Sequence, residues 1–312
     1  MTITSAPFDH ESAGAGPDAA AFWVRAADGV RLRMGAMARG DKGTILIVPG
    51  RTEYLEKYGY IAEDFAAHGY GSVCMDVRGQ GLSDRLIKDP VIGHVNRFAD
   101  YQTDMSALVA FAEAQGFARP WVLLGHSMGG AIGLRAVLNG LDVTAAAFSA
   151  PMWGIAMLPI LRPVSWSLGW LAHSTALNTW VTPGTSRATY VRDANPADNF
   201  LTSDPDMLMR MRQQLDAQPG VDLGGPSVPW LYRALLECVD LRRNANPDIP
   251  TLTFLPEREE IVCKAAIREM MARWPDGTLI DVPGGRHETM METLERRQLF
   301  LSQCVAFFDA QA

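Results

Sequence analysis

The most informative stretch of this 312-residue chain is VLLGHSMGGAIGL, residues 122–134. It is apolar up to Leu124, breaks at Gly125, and resumes at once with residues that favour helix. This pattern predicts a buried strand, a sharp turn and a helix. A Ser at the tip of such a turn has a strained backbone, so the residues two before and two after it must be small. Gly125 and Gly129 meet that requirement on either side of Ser127.

Strand and helix patterns alternate on both sides of this stretch. A hairpin is predicted about Asp28 and Gly29, and helical spacing follows most of the strand-like runs. Such alternation favours an α/β fold, with a mostly parallel central sheet and helices on both faces. The apolar runs expected to form the buried strands are TILIVPG (44–50), GSVCMDV (71–77), WVLLG (121–125), TAAAFSA (144–150), TLTFLP (251–256) and GTLIDVP (277–283).

The alternation stops at Pro151 and resumes at Thr251, so the chain reads as a core that is split by an insertion. The segment between them contains Pro, Gly and Trp in helical fragments. We therefore expect four segments along the chain. They are a flexible N-terminal tail (1–20), an α/β core in two parts (21–150 and 239–312) and an inserted helical cap (151–238).

Composition and charge argue against several function classes. The net charge is −7, with 28 Lys and Arg spread among 35 Asp and Glu, so no basic stripe is available to bind nucleic acid. The four cysteines lie far apart, without the spacing of a disulfide framework, a zinc site or a redox motif. We expect neither a metal nor an organic cofactor.

The chain is expected to be cytoplasmic. Its first twenty residues lack the basic start and apolar core of a secretory signal. The most apolar stretch, residues 151–174, is interrupted by Pro159, Arg162 and Pro163, which argues against a transmembrane helix. Peripheral contact with a membrane through the cap is compatible with this composition.

Two interpretations of Ser127 compete. Ser is a favoured helix N-cap, and a chance match to G-x-S-x-G is common. The alternative is a nucleophile, held where the free N–H groups of the helix N-terminus face the reacting group. The strand before it and the helix after it favour the nucleophile.

A serine nucleophile needs an imidazole base and a carboxylate that orients the imidazole. His287 follows the last predicted strand, where loops at the carboxyl ends of parallel strands build active sites. A surface position in that loop is the alternative for a lone His. The acid should follow the strand before, where EREE offers Glu257, Glu259 and Glu260.

With these motifs in order, the sequence resembles the α/β-hydrolase superfamily, and within it the group of monoacylglycerol lipases and lysophospholipase L2. The resemblance runs from about Phe22 to the C-terminus and is weakest in the insertion. It rests on VPGRTEY (48–54), DVRGQGLSD (76–84), GHSMGG (125–130) and the loop of His287.

The resemblance implies Glu259 as the acid, although the group most often has Asp there. It also implies backbone N–H groups of Arg51 and Met128 as the oxyanion donors. Here Pro-Gly-Arg stands where lipase members often have His-Gly, a change that leaves a backbone donor in place.

The implied function is a serine ester hydrolase that acts through an acyl-enzyme on a lipid-like mono-ester. Two alternatives remain open at this point: an esterase or thioesterase for small soluble substrates, and a hydrolase-fold binding or sensor protein. The cap side chains expected to line an acyl pocket are Trp153, Met157, Trp166 and Trp170.

Overall fold

The structure, a computed structural model, describes residues 2–157 and 180–311. Nine strands form one sheet within these residues: β1 Ile3–Ala6, β2 Ala20–Arg25, β3 Arg31–Ala38, β4 Thr44–Val48, β5 Gly71–Asp76, β6 Trp121–His126, β7 Ala145–Ser149, β8 Thr251–Pro256 and β9 Gly277–Val282. Their order across the sheet is β1-β2-β3-β5-β4-β6-β7-β8-β9. Every pair from β5 onward in that order is parallel, whereas the three N-terminal pairs are antiparallel.

The helices between the strands are the crossovers that parallel pairing requires. The described α-helices are α1 His10–Ala13, α2 Gly59–Ala66, α3 Tyr101–Ala114, α4 Met128–Leu138, α5 Tyr190–Asp193, α6 Pro205–Ala217, α7 Val228–Arg243, α8 Lys264–Met271 and α9 Leu294–Asp309. Short 3₁₀ turns precede three of them, at Leu55–Tyr58, Phe98–Asp100 and Thr289–Met291. The predicted α/β fold with its mostly parallel sheet is confirmed.

The central strands are buried along their whole length. Every residue of β4, β5, β6, β7 and β8 is buried, as expected for a parallel sheet that is covered on both faces. Val48 at the end of β4 pairs with Gly125 near the end of β6. The loop after β4 and the turn after β6 therefore leave the sheet side by side.

The N-terminus differs from the expected flexible tail. Residues Ile3–Ala6 form the edge strand β1, antiparallel to β2. Asp9 caps α1 by accepting the N–H of Ser12 at 3.0 Å, and Ala13 is completely buried. The prediction was wrong because the polar composition of the segment hid a short strand that the open edge of β2 stabilises.

The chain between β7 and β8 contributes the helices α5, α6 and α7 to the described structure. The predicted boundary at residues 238 and 239, however, falls inside α7, and Cys238 and Leu241 belong to the main hydrophobic core. The C-terminal part of this helix therefore packs on the α/β core. Among the described helices, none combines the length and apolar character that crossing a membrane demands.

Candidate active site

The turn between β6 and α4 carries Ser127 in a strained conformation, with φ 50° and ψ −116°. The flanking glycines allow it. A side chain at Gly129 would place its Cβ 2.0 Å from the carbonyl oxygen of Val48, and one at Gly125 would lie 2.8 Å from the carbonyl oxygen of Gly129. The spacing of small residues in the sequence thus has a steric cause. The N–H of Ser127 donates to the carbonyl of Ser149 at 3.0 Å, which ties the turn to β7.

His287 follows β9, and its Nδ1 lies 2.7 Å from Oε2 of Glu259 in a hydrogen bond. The other oxygen of Glu259 accepts the N–H groups of Ile261 at 2.6 Å and Val262 at 2.9 Å. Burial alone would raise the pKa of Glu259, but the charge and hydrogen bond of His287 and these two N–H groups lower it below its usual value. Glu259 is therefore held as a carboxylate against the imidazole.

The two alternative acids face other groups. Glu257 is exposed, and its Oε2 accepts the N–H of Gly284 at 2.6 Å. Glu260 is also exposed. Of the three glutamates that the sequence left open, Glu259 is the one that contacts His287.

The loop after β4 carries Arg51, and its backbone is fixed by two buried polar side chains. The carboxylate of Glu53 accepts the N–H of Gly50 and the hydroxyl of Tyr58. The amide of Gln80 donates to the carbonyl of Gly50 at 2.7 Å. These contacts hold the loop beside the turn of Ser127 without using the N–H of Arg51.

Met128 is the first residue of α4, so its N–H lies in the first helical turn and has no intrahelical acceptor. The positive end of the helix dipole adds to the field at this point. An N–H donor in that position can receive negative charge that develops on an oxygen above Ser127.

A cavity of about 230 Å³ opens over Ser127 and His287, which both line it. Arg51, the predicted oxyanion loop residue, lines the same cavity. Six apolar residues of the lining, here called the apolar wall, come from the insertion and from the loop after β8: Val191, Phe200, Leu201, Met211, Leu215 and Ile261. The cavity thus joins the predicted reacting groups to an apolar wall.

The wall differs from the side chains that the sequence suggested. Trp153 is completely buried, stacks on Trp274 at 5.7 Å, and belongs to the main hydrophobic core instead of the cavity lining. Its indole N–H donates to the carbonyl of Gly130 at 3.2 Å, which satisfies its polar atom there. Met157 lines a separate cavity, next to Cys238. Trp166 and Trp170 lie outside the described residues.

A buried cluster of charged groups contributes to the cavity lining through Glu53, Lys57 and Glu288. Nζ of Lys57 donates to Glu53 at 2.6 Å and to Glu288 at 2.7 Å. Nε2 of His126 lies 3.2 Å from Oε2 of Glu288, and the rings of His126 and His287 are 4.9 Å apart between centroids. The ring of His126 therefore brings this cluster next to the imidazole of His287.

The pKa values in this cluster follow from burial and charge. Burial would raise the pKa of Glu288, but Lys57 and His126 lower it well below its usual value. Burial would lower the pKa of His126, but Glu288 and Glu53 raise it. Opposite charges thus stabilise one another within a buried cluster.

Glu53, His126 and Glu288 place their ligand atoms within 4.8 Å of one another, a spacing that suits a metal ion. The ammonium of Lys57 already bonds one oxygen of each carboxylate. A divalent cation here would face that ammonium directly, so the chemistry of the donor set favours the lysine as the balancing charge.

Sequence reasoning missed the members of this cluster. His126 shows in the sequence only as the residue before Ser127, and Lys57 and Glu288 lie 231 residues apart in the chain. The available signal was the group of three charged residues among apolar and aromatic ones in EYLEKYGYI (53–61).

Comparisons with known proteins also identify a hydrolase family and lysophospholipase relatives. The family model described as serine aminopeptidase, S33 (Hydrolase_4) matches residues 40–294. Lysophospholipase L2 of Escherichia coli (strain K12) is 31% identical over 277 residues, which cover 85% of this chain and 80% of the relative. The probable lysophospholipase L2 of Haemophilus influenzae is 27% identical, with 86% and 84% covered.

Solved structures share the fold. A soluble variant of monoglyceride lipase from Saccharomyces cerevisiae, solved with a substrate analog, has a TM-score of 0.71 and 19% identity over 93% of this chain and 94% of its own. A monoacylglycerol lipase of Paleococcus ferrophilus has a TM-score of 0.68 and 18% identity, with 90% and 99% covered. At these identities the likeness concerns the fold.

Proposed function

Because this chain belongs to the serine aminopeptidase S33 (Hydrolase_4) family of α/β hydrolases, we propose that it hydrolyses a lipid-like mono-ester, as a lysophospholipase or monoacylglycerol lipase does. The observation that carries the proposal is the cavity that Ser127 and His287 line together, with Glu259 bonded to the far side of the imidazole. The relatives that match most of the chain are lysophospholipases, which favours an ester over a peptide as substrate.

The reaction begins with Ser127. Its Oγ attacks the ester carbonyl while Nε2 of His287 takes the hydroxyl proton as general base. Glu259 holds Nδ1–H and stabilises the imidazolium. The N–H groups of Arg51 and Met128 bind the oxygen that becomes negative in the tetrahedral intermediate.

The intermediate collapses by breaking the bond to the alcohol. His287 returns its proton to the leaving oxygen, and an acyl-enzyme remains on Ser127. Water then attacks the acyl carbon with His287 again as base, which releases the fatty acid and restores the serine. Every proton in this cycle moves between the substrate, water, Ser127 and His287.

The apolar wall of the cavity supports an acyl chain as the bound group. Burying each methylene gains about 0.8 kcal/mol, which corresponds to about fourfold in kcat/KM. Monoacylglycerols and lysophospholipids of increasing chain length should therefore be cleaved faster until the wall is filled. A profile that is flat or peaks at the shortest chains would assign the site to small soluble esters.

Two variants of one helix test the wall. Met211 lines the cavity and is 2% exposed, whereas Met209, two residues before it on α6, is 42% exposed. Met211→Ala should weaken the preference for long chains, and Met209→Ala should leave it unchanged. Equal chain-length profiles in both variants and the wild type would contradict the assignment of this wall.

The nucleophile has a direct test. A fluorophosphonate probe should label the wild type, and Ser127→Ala should abolish both labelling and hydrolysis. Absence of labelling in a folded wild type would favour the binding or sensor protein, and undiminished labelling of the Ser127→Ala variant would mean that another residue is the nucleophile.

A further inference from the structure

The side chain of Arg51 makes contacts of its own, apart from the oxyanion role proposed for the backbone N–H of that residue. Its Nη1 donates to the carbonyl of Gly224 at 2.8 Å, and its guanidinium carbon lies 5.7 Å from the ring centre of Trp230. Gly93 leaves room for it, because a Cβ there would lie 3.1 Å from Nη1. The guanidinium therefore rests on a platform of glycine backbone and one aromatic ring.

This guanidinium has no carboxylate partner among the described residues, and Arg51 is one of the residues that line the cavity. The other cation of the lining, Lys57, bonds two carboxylates. Other buried arginines are also paired, as Arg33 is with Glu56 at 2.8 Å and Arg78 with Asp104 at 2.8 Å. Within the described chain, Nη1 is the one nitrogen of this guanidinium that donates a hydrogen bond.

The guanidinium of Arg51 remains a cation at neutral pH. Burial lowers the pKa of Arg51 to about 10, so the guanidinium is protonated at neutral pH. A positive charge that is half-buried and lacks a counter-ion favours the binding of an anion next to it.

We propose that the guanidinium of Arg51 binds the phosphate of a lysophospholipid whose ester carbonyl lies against the N–H of the same residue. The inference rests on the proposed function and narrows it from mono-esters in general to those with a phosphodiester next to the ester. Arginine suits this task because its planar fork can donate two N–H groups to two phosphate oxygens.

The spacing within the substrate matches the spacing within the residue. In a lysophospholipid the carbonyl carbon and the phosphorus are separated by as many covalent bonds as the backbone nitrogen and the guanidinium carbon of Arg51, roughly 7 Å when extended. One residue can thus contact the reacting carbonyl and the headgroup at once. A monoacylglycerol has no anion at that distance, so it loses only the second contact.

The first experiment compares two substrates with the same acyl chain. We expect Arg51→Met to lower the ratio of kcat/KM for 1-oleoyl-lysophosphatidylethanolamine to kcat/KM for 1-oleoylglycerol by about 10- to 100-fold. Arg51→Lys should fall between. The ratio cancels any general disturbance of the oxyanion loop, since both substrates use the same N–H.

Arg85 provides a matched control. Its nitrogens also donate to backbone carbonyls, those of Pro90 and Gly220 at 2.8 Å each, and it does not line the cavity. Arg85→Met should leave the ratio unchanged. An unchanged ratio in Arg51→Met, or an equal loss in both arginine variants, would overturn the role of Arg51.

A second experiment separates this inference from the proposed function. An alkyl-ether lysophospholipid cannot be cleaved, and it should inhibit hydrolysis of a p-nitrophenyl ester with an inhibition constant about 10- to 100-fold higher in Arg51→Met than in the wild type. Equal inhibition of both would overturn the inference even if lysophospholipids are substrates. Failure of the wild type to cleave any long-chain mono-ester would instead overturn the proposed function.

Inorganic phosphate alone should inhibit the hydrolysis only weakly. Inhibition as strong as that by the ether lipid would mean that the site binds free phosphate, and it would overturn the lipid assignment.

Discussion

Glu259→Gln is expected to lower kcat by about 10³- to 10⁴-fold, or about 4–5.5 kcal/mol in the barrier, while the protein stays folded. The size of the effect follows from the contacts of the two carboxylate oxygens. Oε1 accepts the N–H groups of Ile261 and Val262, and Oε2 faces Nδ1 of His287.

A glutamine has one oxygen for these two tasks. If its oxygen stays with Ile261 and Val262, its NH₂ group faces Nδ1, which must then accept a hydrogen bond. The ring proton moves to Nε2, and His287 can no longer take a proton from Ser127. The reverse orientation leaves two buried N–H groups without an acceptor, at about 1–3 kcal/mol each. The inactive tautomer is therefore favoured.

The assay is hydrolysis of a p-nitrophenyl ester together with circular dichroism as a check on folding. Glu257→Gln and Glu260→Gln are the matched controls, because both glutamates lie in the same loop and neither contacts His287. Both controls should keep activity within about threefold. A Glu259→Gln variant that retains a tenth of the wild-type kcat, or a control that falls as far, would refute the hydrogen-bond argument.

Two further predictions concern the cluster of buried charges that contributes to the cavity lining. Lys57→Met should lower the free energy of unfolding, measured in urea, by about 3–5 kcal/mol, because it leaves the buried carboxylates of Glu53 and Glu288 without their cation. As a control, Lys42→Met breaks an exposed ion pair with Asp309 and should change this free energy by less than about 1 kcal/mol. Glu288 has a lower pKa in the folded protein than in the unfolded chain, so its stabilisation is complete above about pH 4.3 and is lost as the pH falls further. Glu288→Gln should accordingly flatten the acid limb of a stability profile, and an unaltered limb would count against this carboxylate.

Much of the fold follows from local patterns. The strand-like runs carry their own signal of β-branched and apolar residues, and the glycines that end helices at Gly69 and Gly116 have φ of 90° and 66°. Such features depend on a few neighbouring residues. The edge strand at Ile3–Ala6 does not, because its stability comes from pairing with β2. The packing of α7 on the core through Cys238 and Leu241 also depends on residues that are distant in the chain.

The candidate active site also combines features that a local motif predicts with contacts between residues that are distant in the chain. Ser127 and its glycines form one contiguous motif, so the strained turn was predictable from sequence. The pairing of Glu259 with His287 spans 28 residues, and residue types alone left three glutamates open. The partnership of Lys57 with Glu288 spans 231 residues and depends on which loops the sheet brings together. Composition carries no information about such a contact.

The charge of the cavity bears on the peptidase that gives the family its description. An aminopeptidase must bind a protonated α-amino group close to the bond that it cleaves. Here the carboxylates of Glu53 and Glu288 already face Lys57, whereas the guanidinium of Arg51 faces no carboxylate within the described chain. The cavity should therefore repel an amine and attract an anion.

Three benzyl esters of alanine test this argument with one leaving group. We expect kcat/KM to rise from the free amine, through the neutral N-acetyl derivative, to the anionic N-succinyl derivative, and we expect Arg51→Met to remove the advantage of the succinyl group. Faster cleavage of the free amine would contradict the electrostatic argument and favour a peptidase. Because the three compounds share the scissile ester, the ranking reports the charge that the cavity prefers and is independent of the reactivity of Ser127.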